Sequence, residues 1–265
     1  MLIWFCLLYG RQEFPYDASV THAENDLRQP LDARQVAALI FALTFPTLTT
    51  GVYFILLSGH PSMGAVYAAA KILQFAFPVA WVAIYERQAI RLAPPRRAGM
   101  GEGLALGAVV LAAILALYYG YFKTSSVLSG AGAEVAEKMR GFGVDSAVKF
   151  LALACFISLF HSLLEEYYWR WFVFGRLKRF MPLGVAVVLS SLGFMAHHVL
   201  VVGQFLGGYG PSTWFFSSCV AAGGALWAWL YHRARTLYGP WFSHLLVDAG
   251  LMWVGYDLWR TAVGA

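Results

Sequence analysis

Charged residues are scarce in this sequence. Asp, Glu, Lys and Arg make up 12% of its 265 residues, whereas soluble globular domains carry about 25%. Hydrophobic residues make up 60% and aromatic residues 17%. Several apolar runs reach the roughly 18 residues or more that a bilayer-crossing helix needs. This composition argues against an ordinary soluble domain and predicts a multi-pass integral membrane protein.

Cysteine is scarce as well. The three cysteines lie far apart in apolar segments, with no CxxC spacing, and they are Cys6, Cys155 and Cys219. They provide no framework for disulfides. The apolar run at residues 1–9 is too short to span a bilayer, has no basic residue before it and no A-x-A-like cleavage site after it. It is therefore not expected to be a signal peptide.

The net charge of +5 does not indicate a nucleic-acid partner, because the basic residues cluster in short segments between apolar runs. Such clusters are typical of cytoplasmic loops that face anionic headgroups. Placing the arginines of residues 87–97 on the inside predicts a cytoplasmic N-terminus and an outside C-terminus. The membrane would be the plasma (inner) membrane if the source is prokaryotic, and the bilayer is the expected partner.

The apolar runs predict an all-α, polytopic membrane helical bundle of about seven to eight transmembrane helices. The eighth would require residues 1–9 to join a re-entrant or interfacial element. The seven predicted spans are residues 35–57, 64–85, 103–122, 147–180, 183–202, 214–231 and 241–258. We divide the chain into a polar or interfacial segment at 1–34, N-terminal transmembrane helices at 35–146 and a C-terminal transmembrane core at 147–265.

Two features of the N-terminal half carry further expectations. Gly103 and Gly107 have the small-xxx-small spacing that lets two helices approach closely. Residues 133–139 fit either a short amphipathic helix at the interface or a plain loop. Lys71, inside the second span, is interpreted as snorkelling to the interface or contacting a neighbouring helix rather than as a functional charge.

Ionisable residues inside spans cost about 2.5 to 3.5 kcal/mol each on insertion scales, so their presence needs a compensating reason. Three helices concentrate them in this chain. The residues are His161, Glu165, Glu166 and Arg170 in the fourth span, His197 and His198 in the fifth, and His244 and Asp248 in the seventh.

Helical geometry separates the two glutamates, because residues four apart share a face and adjacent residues point about 100° apart. Glu166 faces Arg170, and a glutamate N-terminal to an arginine at this spacing favours an ion pair. Glu165 shares a face with His161 and is left free for chemistry.

The same spacing applies to the fifth and seventh spans. Phe194 shares a face with His198 while His197 points elsewhere, and His244 shares a face with Asp248. Glu165 can meet His198 at one depth only if the fourth helix continues to about residue 180, since each helical residue adds about 1.5 Å.

These three elements resemble the EExxxR, FxxxH and HxxxN/D motifs of the CAAX prenyl protease and bacteriocin-processing family (CPBP, also called ABI). That family includes the type II CAAX prenyl endopeptidases, and the resemblance covers about residues 151–253. It implies a glutamate-dependent intramembrane endopeptidase without a cofactor. The substrate would be a protein or peptide, lipidated or not, cut near its C-terminus or in a membrane segment.

The resemblance also implies roles for individual residues. Glu165 would activate the water, His198 would help to bind it, and His244 with Asp248 would stabilise the oxyanion. Glu166, Arg170 and Phe194 complete the motifs as supporting positions. His161 is not part of a motif, and from its place beside Glu165 we interpret it as a packing or supporting residue. Asp248 stands where close relatives have asparagine, and an ionised aspartate cannot donate to an oxyanion. Asp248 must therefore be protonated, which burial favours, or must orient His244.

Two alternatives remain open from the residues. Zinc could be held by Glu165, His198 and His244 with one open position, although the chain has no H-E-x-x-H helix. A proton-coupled transporter or a membrane scaffold could also bury acidic and histidine side chains. A proton relay would extend across the membrane, whereas catalytic residues would converge on one pocket.

Overall fold

The computed structural model describes residues 32–88 and 97–264. These ranges form eight helices and contain no strand, which confirms the predicted all-α bundle. The helices are α1 (Ala33–Leu56), α2 (Met63–Tyr85), α3 (Met100–Gly120), α4 (Ala131–Gly141), α5 (Ala147–Phe180), α6 (Leu183–Phe205), α7 (Pro211–Ala234) and α8 (Tyr238–Val263). The predictions for the apolar run at 1–9, the polar segment up to residue 31 and most of the basic loop at 87–97 lie outside the described residues.

Five helices are long and apolar enough to cross a bilayer: α1, α2, α3 with its following turn, α5 and α6. They support an integral membrane protein. Helices α7 and α8 coincide with the sixth and seventh predicted spans and are 24 and 26 residues long, but they fall outside this set. The count of seven spans and the orientation of the chain therefore stay predictions.

Helix α5 has an unusual backbone. Two π-helical segments, Ile157–His161 and Tyr167–Phe174, flank a short α-helical stretch, Ser162–Glu166, that carries both glutamates. π-Turns occur frequently at functional sites. The helix ends at Phe180, just before Pro182. This confirms the prediction that it continues to about residue 180, which allows Glu165 and His198 to lie at the same depth. Roughly 20 Å of helix therefore lie between Glu165 and that end.

The aromatic run of α5 forms the main core. Its buried members are Tyr167, Tyr168, Trp169, Trp171, Phe172 and Phe174. They pack with Ala42 of α1, Phe194 of α6 and Trp227 of α7. The hydroxyl of Tyr168 donates a hydrogen bond to the carbonyl oxygen of Ala42, 2.8 Å away. The bundle is thus built around α5, which explains why its polar residues are buried.

Helices α3 and α8 approach closely through glycine, as the spacing of Gly103 and Gly107 predicted. A Cβ on Gly103 would collide with the carbonyl oxygen of Gly239, and one on Gly107 would lie 2.8 Å from Cα of Ser243. Because Ser243 precedes His244, this contact sets the position of a candidate site residue.

Residues 133–139, for which the sequence left a short helix and a plain loop open, are helical and form part of α4. Its buried face, which includes Val135 and Met139, packs against Phe150 of α5 and Trp259 of α8. Helix α4 therefore covers the end of the bundle opposite Phe180.

We predict that Gly103→Val lowers the thermal unfolding midpoint of the detergent-solubilised protein, because overpacking a tight contact costs about 1–3 kcal/mol or more. Gly101→Val is the matched control, since a Cβ there meets no atom within 4 Å. Equal midpoints for the two variants would contradict the close α3–α8 contact.

Candidate active site

Glu166 is enclosed by two partners. Its Oε1 accepts a hydrogen bond from Nδ1 of His244 at 2.8 Å, and its Oε2 lies 3.1 Å from Nε of Arg170. The contact with Arg170 is an ion pair without the alignment of a hydrogen bond. The predicted pairing of Glu166 with Arg170 is confirmed, and the bond to His244 adds a link to α8 that the spacing did not indicate.

Arg170 is buried between two aromatic rings. Its guanidinium carbon lies 4.7 Å from the ring centre of Phe194 and 5.2 Å from that of Trp227. Cation–π contacts of this kind strengthen when water is excluded. The ion pair of Glu166 and Arg170 is therefore held by α5, α6 and α7 together.

Glu165 is 2% exposed and lies among imidazole rings. Its carboxylate oxygens are 3.8 Å from Nε2 of His161, 3.6 Å from Nε2 of His197 and 3.7 Å from Nε2 of His244. These distances exceed a direct hydrogen bond. They fall in the range that one bridging water can serve. A carboxylate with imidazoles from three helices around it is suited to hold and deprotonate a water molecule.

The expectation that His197 points away from the site is wrong. His197 is buried, is 3.6 Å from Glu165, and its ring stacks on Trp169 with 5.7 Å between ring centres. Helix α6 has neighbours on several sides, so the face that carries His197 is buried as well. The ring centres of His197 and His198 are 4.2 Å apart, and a ligand atom of each lies within 4.8 Å of a Glu165 carboxylate oxygen.

His198 is half-buried and has a fixed orientation. Its Nδ1 donates to the carbonyl oxygen of Phe194 at 2.9 Å, which is the face-sharing pair that the spacing predicted. Since the proton lies on Nδ1, Nε2 of the neutral His198 ring is free to accept a hydrogen bond from a water or to bind a metal ion.

His244 contacts several other side chains of the site. Its Nε2 lies 3.5 Å from Oδ1 of Asp248 and 3.7 Å from Oε2 of Glu165. Its ring stacks on Trp227 with 4.0 Å between centres, and the indole N–H of Trp227 donates to the hydroxyl of Ser243 at 3.0 Å. Sequence spacing gave no indication of Trp227, because a tryptophan in an apolar run has no motif that separates it from core residues.

The positions of the titratable side chains distinguish a convergent catalytic site from a proton relay. The side chains of Glu165, His197, His198, His244 and Asp248 surround one point where α5, α6 and α8 meet. A relay would need titratable groups in sequence across the membrane. The convergent arrangement favours the catalytic alternative.

A metal ion would find a different ligand set from the one proposed on sequence grounds. Glu165, His197 and His198 each offer one ligand atom, all within 4.8 Å of one another. Two histidines and one carboxylate match a catalytic zinc site with an open position. In this set His197 replaces His244, because Nδ1 of His244 already bonds Glu166 and its Nε2 faces Asp248.

Residues 147–250 match the family model described as type II CAAX prenyl endopeptidase Rce1-like. Comparisons with curated proteins and with solved structures gave no match. The matched range begins at the start of α5 and ends within α8, so it contains every residue of the cluster. Helices α1 to α4 lie outside it.

We predict that Glu166→Ala lowers the free energy of unfolding by about 3–5 kcal/mol, because it leaves the buried charge of Arg170 unpaired. The control is Glu102→Ala, which breaks a 3.2 Å pair with Arg233 whose side chains are 49% and 60% exposed, and should cost about 1 kcal/mol or less. Denaturant titration in detergent measures both. A loss for Glu166→Ala no greater than that for Glu102→Ala would contradict the anchoring role of Glu166.

Proposed function

We propose that this protein is an intramembrane endopeptidase that uses Glu165 to activate the hydrolytic water, since residues 147–250 match the family model described as type II CAAX prenyl endopeptidase Rce1-like. The substrate is a membrane-associated protein cut near its C-terminus or within a membrane segment. The observation that carries the proposal is the convergence of imidazoles from α5, α6 and α8 on the Glu165 carboxylate at 3.6–3.8 Å.

Glu165 acts as the base. A water between its carboxylate and Nε2 of His197 or His198 gives its proton to Glu165, while the water oxygen forms a bond to the scissile carbonyl carbon. The carbonyl oxygen becomes an oxyanion. Glu165 then returns the proton to the amide nitrogen as the C–N bond breaks, which leaves a carboxyl and an amine product. Glu166 cannot take this part because both of its oxygens already face cationic or N–H groups.

The oxyanion needs donors that are fixed before the reaction. His198 is not one of them, because its Nδ1–H donates to the Phe194 carbonyl oxygen and leaves Nε2 without a proton, so Nε2 accepts a hydrogen bond from the hydrolytic water instead. The proposed donor is His244 as a doubly protonated imidazolium, whose Nδ1–H is held by Glu166 and whose Nε2–H can donate to the oxyanion. Asp248 lies 3.5 Å from Nε2 of His244, so its proposed role is to orient that ring rather than to meet the oxyanion itself.

A zinc-dependent reaction is the second candidate, favoured by the ligand geometry of Glu165, His197 and His198. A bound zinc would supply a polarised water of lowered pKa at the open position. Here Glu165 and the two histidines would be ligands, and His244 with Asp248 would stay free to face the substrate.

We predict that Glu165→Gln removes at least about 99% of peptide cleavage, because positioned bases contribute about 10²–10⁴-fold, while the unfolding midpoint is kept. The assay uses a fluorescence-quenched peptide with a farnesylated cysteine near its C-terminus, and its unfarnesylated twin, in detergent or liposomes. The control Glu137→Gln removes one exposed carboxylate on α4. Unchanged cleavage by Glu165→Gln would reject the base assignment.

We predict that activity survives prolonged chelation and that active protein holds zinc well below one equivalent, because the proposed base needs no metal. The measurements are cleavage after dialysis against a strong chelator and elemental analysis of the same sample. Loss of cleavage that zinc restores would favour the metal mechanism, and His197→Asn should then abolish zinc binding.

A further inference from the structure

Helix α2 brings a lysine into the bundle without a carboxylate partner. The ammonium of Lys71 donates a long hydrogen bond to Oε1 of Gln74 at 3.4 Å and lies 5.9 Å and 5.6 Å from the ring centres of Tyr67 and Phe75. Within residues 32–88 and 97–264, no carboxylate forms an ion pair with it. An intramembrane cation of this kind is costly and asks for a function.

Lys71 is directed toward the catalytic cluster. The ring of Phe75, which Lys71 overlies, meets the ring of His161 edge-on with 6.2 Å between centres. His161 in turn is 3.8 Å from Glu165. Lys71 is near enough to interact electrostatically with Glu165. One aromatic ring and one imidazole therefore lie between the ammonium group of Lys71 and the proposed base.

Gln74 provides a second unused donor. It is 1% exposed, and while its Oε1 accepts from Lys71, its Nε2 has no hydrogen-bond partner. An unmet buried donor costs about 1–3 kcal/mol. Lys71 and Gln74 are three residues apart and share one face of α2. Together they place an ammonium and an amide N–H₂ next to each other on one face of α2, a pair of donors that matches the two oxygens of one carboxylate.

We propose that Lys71 and Gln74 form a subsite for the C-terminal carboxylate of the substrate. The inference rests on the proposed endopeptidase function. It favours a chain end over an acidic side chain, because a chain that continued through the apolar site would bring further backbone N–H and C=O groups out of water. The subsite holds the end of the substrate while the scissile bond, a short distance upstream, lies at Glu165.

In this arrangement Lys71 is a positioning residue. It binds the ground state and the transition state alike, so its removal raises KM and leaves kcat nearly unchanged. A structural cation, or one that only tunes the charge of Glu165, would instead change kcat for every substrate.

The test compares two quenched farnesylated peptides of one sequence without Asp or Glu, one ending in a free carboxylate and one in a carboxamide. For the wild-type protein, KM should be at least about tenfold higher for the amide, the scale of one charged hydrogen bond. Lys71→Met should raise KM for the acid to the amide value and leave the amide unaffected. Lys71→Arg should retain the preference. Lys149→Met, which removes an exposed lysine, is the control.

Several results would overturn the inference. Equal KM values for the two peptides in the wild-type protein refute it while leaving the endopeptidase intact, and this comparison needs no variant. A Lys71→Met defect of equal size on both peptides also refutes it. An amide peptide with an internal Glu that is cleaved like the free acid, in a Lys71-dependent manner, would assign the subsite to acidic side chains. Failure to cleave any peptide would remove the proposed function and the inference together.

If Lys71→Met is poorly folded, Gln74→Leu provides the second variant. It should raise KM for the acid peptide by a smaller factor, because it removes a neutral donor and keeps the ammonium group. No change in the ratio of KM values with Gln74→Leu would contradict the two-donor subsite.

Discussion

The hydrogen bond between Nδ1 of His244 and Oε1 of Glu166, 2.8 Å long, is the contact on which the site depends. It ties α8 to α5 in the middle of an apolar bundle. The other oxygen of Glu166 faces Arg170, which lies between Phe194 of α6 and Trp227 of α7. One carboxylate thereby connects four helices. Low local dielectric strengthens each of these contacts and makes the loss of any one of them expensive.

Fixing Glu166 also fixes its neighbour. Adjacent helical residues point about 100° apart. Because the side chain of Glu166 is directed toward Arg170 and His244, the side chain of Glu165 is directed toward the cluster of imidazoles. The two glutamates are equally buried, but they differ in what their oxygens meet. Both oxygens of Glu166 face an N–H donor or a guanidinium, whereas those of Glu165 have imidazole nitrogens at 3.6–3.8 Å, too far for a direct hydrogen bond.

Much of this fold could be predicted from the sequence, because apolar runs bounded by charge, Pro and Gly mark the helices directly. The extension of the fourth helix to Phe180 followed from matching the depths of Glu165 and His198. Spacing within one helix could not predict contacts between helices. It missed the bond from His244 to Glu166. It also predicted that His197 points away from the site, although the face of α6 that carries His197 is buried. Lys71 could be noted as unusual, but only the fold shows that α2 directs it toward Glu165.

In the proposed mechanism Glu165 acts on a water and does not attack the substrate itself. A single turnover in ¹⁸O-labelled water, with enzyme in excess over a quenched farnesylated peptide, tests this most directly. Mass spectrometry of the cleaved peptide and of the enzyme fragment containing Glu165 locates the label. If Glu165 is the base, ¹⁸O should appear in the new C-terminal carboxylate of the peptide and not in Glu165. Label in the side chain of Glu165 would mean that a covalent acyl intermediate forms there, and would contradict the proposed mechanism.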